Sequence, residues 1–144
     1  MNRMTTTDST TQTSTPTSTP TSGTKAGTDL QTVIDGYFTC WNTTDADARL
    51  AAVDATWAPE ARSVDPMADV TGHAELTGMF AGFHDLYAGH SFRQRGGVDE
   101  HHGIARWGWE MVDPAGTVVL DGIDVAMVTD RKIAYLVGFF GSDM

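Results

Sequence analysis

The feature that most constrains this chain is a change of hydrophobic period part-way along it. From Leu30 the apolar residues fall at Leu30, Val33, Ile34, Tyr37, Phe38 and Trp41. That is the i, i+3, i+4, i+7 stripe of an amphipathic helix, with Thr28 or Asp29 as its expected N-cap. Asn42-Thr43-Thr44-Asp45 breaks the pattern. A second helix is expected over residues 46–57, with Leu50, Val53 and Trp57 on one face and Pro59 ending it. Residues 61–65 read as a short strand closed by Pro66. Thr71-Gly72 opens a third helix, where Leu76, Met79, Phe80, Phe83, Leu86 and Tyr87 make another stripe that Gly89 terminates.

Beyond Gly89 the helical period is gone. Residues 91–95, 100–112, 117–129 and 132–140 are rich in β-branched and aromatic side chains. Gly96-Gly97, Asp113-Pro114-Ala115-Gly116 and Asp130-Arg131 supply turns between them. Helices followed by hairpin-linked strands make an α+β chain, a curved antiparallel sheet closed by helices around an apolar pocket. One domain is expected over residues 29–144. Residues 1–28 are almost all Thr, Ser, Pro and Gly, with nothing to bury, and are expected to form a disordered tail.

Charge narrows the partners. Asp and Glu outnumber Lys and Arg by 19 to 9, giving a net charge of −10 and no basic stripe for phosphates, so neither nucleic acid nor an anionic membrane is an expected partner. Cys40 is the single cysteine, which rules out an intrachain disulfide and a thiolate metal cluster and suits a reducing compartment. With no spanning apolar run and no signal-like segment at the N-terminus, the expected address is the cytoplasm.

Strand parity adds a partner. Val118, Leu120, Gly122, Asp124, Ala126 and Val128 share one face of residues 117–129, while Val119, Ile123, Val125 and Met127 share the other. Helices of a small domain cover one face of a sheet. The second apolar face is therefore expected to pack against another subunit, making a homodimer.

The same parity isolates the candidate chemistry. Asp124 lies within Gly-Ile-Asp-Val-Ala-Met-Val, where a buried carboxyl must be paired or protonated. Tyr37 carries its hydroxyl on the buried stripe of the first helix. Asp65 ends a strand before Pro66, which by itself suits a turn former. The aromatic residues Trp41, Trp57, Phe83, Trp107, Trp109 and Phe139, with Met79, are candidates to line a pocket for a hydrophobic small molecule. The histidines give no metal site by spacing: His101 and His102 are adjacent on an expected strand, and His73, His84 and His90 lack an i, i+4 partner. No Gly-x-Ser-x-Gly elbow or phosphate-cradling glycine loop is present.

Four segments together carry a resemblance: Thr-Val-Ile-Asp-Gly-Tyr37 with Trp41-Asn-Thr-Thr-Asp45, Ser-Val-Asp65-Pro, Gly-Ile-Asp124-Val, and the closing Lys-Ile-Ala-Tyr-Leu-Val-Gly-Phe-Phe-Gly141. Over residues 29–144 the chain resembles the nuclear transport factor 2-like superfamily, which includes ketosteroid isomerase and the SnoaL-type polyketide cyclases. The resemblance implies a cone-shaped, cystatin-like barrel and acid–base chemistry on a hydrophobic carbonyl compound without metal or organic cofactor. It also implies roles, with Asp65 as the base and Tyr37 and Asp124 as donors to an oxyanion. A non-catalytic module that binds a hydrophobic ligand or dimerises is the alternative. Epoxide hydrolysis, as in limonene epoxide hydrolase, requires an arginine two residues before an aspartate on one strand, and Arg106-Trp107-Gly108 breaks that pattern.

Overall fold

A computed structural model describes the backbone of residues 18–141 and the side chains of residues 29–141. The first helix, α1 (Ser18–Asn42), begins ahead of the expected cap, but its packed face starts in the expected stripe with Val33, Ile34, Tyr37 and Phe38. The tail expected over residues 1–28 lies outside the described residues as far as residue 17.

Helix α2 (Ala46–Thr56) is capped by Asp45, whose carboxylate accepts the Ala48 N–H at 2.9 Å. Its buried face is Arg49, Val53 and Thr56, not the expected Leu50, which is exposed. Arg49 turns inward because its guanidinium donates to the Thr43 and Thr44 carbonyls and so ties down the α1–α2 turn. Trp57 leaves the helix and starts β1 (Trp57–Asp65). A short strand not expected from sequence, β2 (Ala68–Thr71), folds back on it. Helix α3 (His73–Leu86) follows, buried along Leu76, Phe80 and Phe83.

The remaining strands are β3 (Ser91–His101), β4 (Ile104–Val112), β5 (Val118–Thr129) and β6 (Lys132–Phe140). Gly96-Gly97 is a bulge within β3 rather than a turn, since Arg95 pairs with Gly108 and Val98 with Trp107. The turn falls at His102-Gly103, where both residues have positive φ, as a tight two-residue hairpin requires.

The six strands run in the order β2-β1-β6-β5-β4-β3. Five strand pairs would close no ring here: the sheet is curved and open, so the expected barrel is not closed. Its pairs are antiparallel except β1 with β6, a parallel pairing that the long connection of one helix and four strands between them permits. The helices cover the concave face, where Ala61, Ala105, Trp107, Trp109, Met111, Ala126, Ile133 and Leu136 join the helical stripes in one core.

Candidate functional site

Asp124 stands on the concave face of β5, paired across the sheet with Trp107 on β4 and Gly138 on β6. It is 2 % exposed. Tyr37 reaches it from α1 and donates its hydroxyl hydrogen to Oδ2, while the Trp109 indole N–H donates to Oδ1 at 3.1 Å. Burial pushes the Asp124 carboxyl from 3.8 up to about 7; the two donated hydrogen bonds oppose the shift and the charge of Asp65 adds to it. Burial, and then the nearby Asp124 charge, holds the Tyr37 phenol well above its ordinary range. Tyr37 is thus a hydrogen-bond donor throughout the physiological range.

Gly138 explains how two acids share this floor. A Cβ there would lie 2.8 Å from Asp124 Oδ1 and 3.4 Å from Asp65 Cβ. With hydrogen in that place, the side chains of Asp65 and Asp124 flank an open gap over β6. Asp65 also fulfils its turn-forming reading: Oδ1 accepts the Met67 N–H at 2.7 Å across Pro66. Its other oxygen has no hydrogen-bond partner among the described residues.

Tyr37, Asp65 and Asp124 line one cavity of about 270 Å³. Of the expected lining residues, Trp41, Met79, Phe83 and Trp109 are there. Trp57, Trp107 and Phe139 are not. Trp57 and Trp107 are 0 % and 2 % exposed and belong to the packed core, where both rings lie against Tyr37. Phe139 points from the convex face of β6 and is exposed, because the strand's period of two turns Leu136, Gly138 and Phe140 inward instead. Ser63, Leu136, Gly138 and Phe140 were missed as lining residues, although the parity of β6 relative to Gly138 was a signal for the last three.

The wall is otherwise apolar, with Phe92, Met111 and Leu120 inside and Met67, Leu86 and Tyr87 at the mouth. No Lys, Arg or His lines it. His84 donates to the Trp41 carbonyl at 2.6 Å, and His73 bridges Asp54 and the start of β1. His102 lies in the turn rather than on a strand, with its Nδ1 3.2 Å from that of His101. Among the described residues no group of three or more His, Cys, Asp or Glu side chains gathers as a metal site. Arg106 extends from the convex face to Asp99, away from the cavity. Cys40 is buried, and burial pushes its thiol up to about 11, so it is no nucleophile.

Helices over a curved sheet, with a tyrosine and two carboxyls at the floor of an apolar cavity, define an α+β protein of the cystatin-like, nuclear transport factor 2-like class. Residues 34–136 match the model of the SnoaL-like domain, and the chain belongs to that family. A candidate isomerase of the SnoaL-like family from Agrobacterium tumefaciens superposes with a TM-score of 0.76 at 28 % identity, over 80 % of this chain and 99 % of its own. A candidate polyketide cyclase from Sinorhizobium meliloti shares the fold with a TM-score of 0.61 at 18 % identity, over 78 % and 97 %. A candidate ketosteroid isomerase from Kribbella flavida does so with a TM-score of 0.58 at 15 % identity, over 82 % of each chain. No curated protein matches the sequence. No helix among the described residues is long and apolar enough to cross a membrane.

Proposed function

We propose that this protein performs acid–base chemistry on a hydrophobic carbonyl compound, either isomerisation or aldol cyclisation. The observation that carries this reading is the convergence of Tyr37, Asp65 and Asp124 on the floor of an otherwise apolar cavity. Asp65, as the carboxylate, takes a proton from the carbon next to the carbonyl with its unpartnered oxygen. Negative charge then gathers on the carbonyl oxygen; the Tyr37 hydroxyl turns its hydrogen from Asp124 Oδ2 to that oxygen, and the neutral form of Asp124 donates to it from Oδ2. Trp109 keeps the Asp124 carboxyl oriented through Oδ1. The cycle closes when Asp65 returns the proton at another carbon, giving an isomer, or when the enolate carbon attacks a second carbonyl and Asp65 gives its proton to the alkoxide oxygen so formed, giving a ring.

The test is conversion of β,γ-unsaturated cyclic ketones to their conjugated isomers, followed by ultraviolet absorbance. Asp65→Asn should lower kcat by about 10²–10⁴-fold, and Tyr37→Phe by about 10²–10³-fold. Undiminished turnover in Asp65→Asn would overturn the assignment of the base.

We also propose that the protein works as a homodimer packed through the convex face. Val119 and Met127 there are 48 % and 51 % exposed, beside Ile123 and Val125. Light scattering should give twice the chain mass at micromolar concentration, and Val125→Asp should move it to the monomer mass. A monomer mass for the unmodified chain would refute the dimer.

A further inference from the structure

Ser63 is a buried polar side chain to which the chemistry above gives no work. It sits on β1 two residues before Asp65, on the same concave face, and opposite Leu136 of β6. It is 4 % exposed and lines the cavity. Its hydroxyl has no hydrogen-bond partner among the described residues. The hydroxyl opens onto the cavity, and once a ligand displaces water from there an unpaired hydroxyl costs free energy that an alanine would not. The partner here must come from whatever fills the cavity.

Its position restricts that partner. Ser63 is separated from Asp124 by the whole of β6, about 10 Å across the sheet, and by about 7 Å along the strands. It pairs with Leu136 and Leu136 with Ala126, whereas Asp65 lies beside Gly138 opposite Asp124. One oxygen atom cannot serve both ends. Because no Lys, Arg or His lines the wall, a charged anion would face two carboxyls with no counter-charge.

We propose that Ser63 is a specificity-determining residue that holds a second, uncharged oxygen of the ligand, a hydroxyl or a carbonyl, at the far side of the molecule from the oxygen held by Tyr37 and Asp124. This rests on reading Tyr37 and Asp124 as the oxyanion end of the cavity. A hydroxyl serves either partner, since it both donates and accepts. The ligand class is then hydrophobic and neutral with oxygen at both ends. Compounds lacking the second oxygen leave Ser63 unpaired and bind more weakly.

Calorimetric titration of the full chain with 2-naphthol, 2,6-dihydroxynaphthalene and 2,7-dihydroxynaphthalene tests this. One of the diols should bind at least about tenfold more tightly than 2-naphthol. Ser63→Ala should abolish that preference while leaving the Kd of 2-naphthol within about twofold, and Ser63→Thr should restore part of it. Thermal melting of both variants verifies that they fold. A diol preference below about tenfold, or one that survives in Ser63→Ala, overturns the proposal. Tyr37→Phe separates the two readings. If it leaves 2-naphthol affinity unchanged, the oxyanion assignment fails, whereas Ser63 is judged on the ratio of diol to monophenol within one protein.

Discussion

The floor and the mouth of the cavity are built from opposite materials. At the floor, Asp124, Trp109 and Tyr37 are each no more than 5 % exposed and are locked to one another by directed hydrogen bonds. At the mouth, Met67 and Leu86 are 73 % and 75 % exposed and have apolar side chains without fixed partners. A rigid, dry floor gives hydrogen bonds their greatest worth, and an unconstrained rim lets a ligand enter. Asp65 stands between, with one oxygen committed to the Met67 N–H and the other free. Two carboxyls of one cavity thereby acquire different environments, which is what the proposed division into base and donor requires.

The largest expected effect of this contrast is on stability against pH. The folded Asp124 carboxyl is raised from 3.8 to about 7, so the unfolded chain gives up this proton more readily than the folded one. Stability should fall as pH rises from about 4 to about 7, by a contribution on the order of 4 kcal/mol, and level off above. In Asp124→Asn, denaturant unfolding across that range should show a flatter profile. An unchanged slope would mean that the floor is not the source.

Close packing at the floor predicts the next effect. A Cβ at Gly122 would lie 2.2 Å from the Phe139 carbonyl oxygen and 2.3 Å from the Trp109 ring. Backbone cannot yield as a side-chain tip can. Gly122→Ala should cost about 3 kcal/mol and displace the indole that holds Asp124. A cost below about 1 kcal/mol would show a floor softer than its hydrogen bonds suggest. The smallest effect belongs to the mouth. Leu86→Ala should change stability by less than about 0.5 kcal/mol in the same unfolding assay while weakening 2-naphthol binding, and a larger loss of stability would erase the contrast.

The floor was more legible in the sequence than the wall, for physical reasons. Asp124 announces itself because a carboxyl among Leu120, Gly122, Ala126 and Val128 violates the pattern of a buried face. Tyr37 follows from helical phase. The two tryptophans misplaced as lining, Trp57 and Trp107, carry the same apolar signal whether they face a cavity or fill a core. Only the depth of packing above them decides, and that depth depends on α1 and α3 together. Phe139 and Phe140 are adjacent, so a choice between them is a choice of strand phase. β2 has four residues, and the alternation in Ala-Asp-Val-Thr is too short to reveal it. Ser63 looks like any small polar residue until burial exposes its lack of a partner.

The most direct measurement is the titration of the Asp124 carboxyl carbon by nuclear magnetic resonance, with Asp124→Asn identifying the signal. Its midpoint should fall near 7, because burial raises it by more than the Tyr37 and Trp109 hydrogen bonds lower it. A midpoint in the ordinary carboxylate range, near 4, would contradict it, leaving a charged acceptor where the chemistry needs a donor.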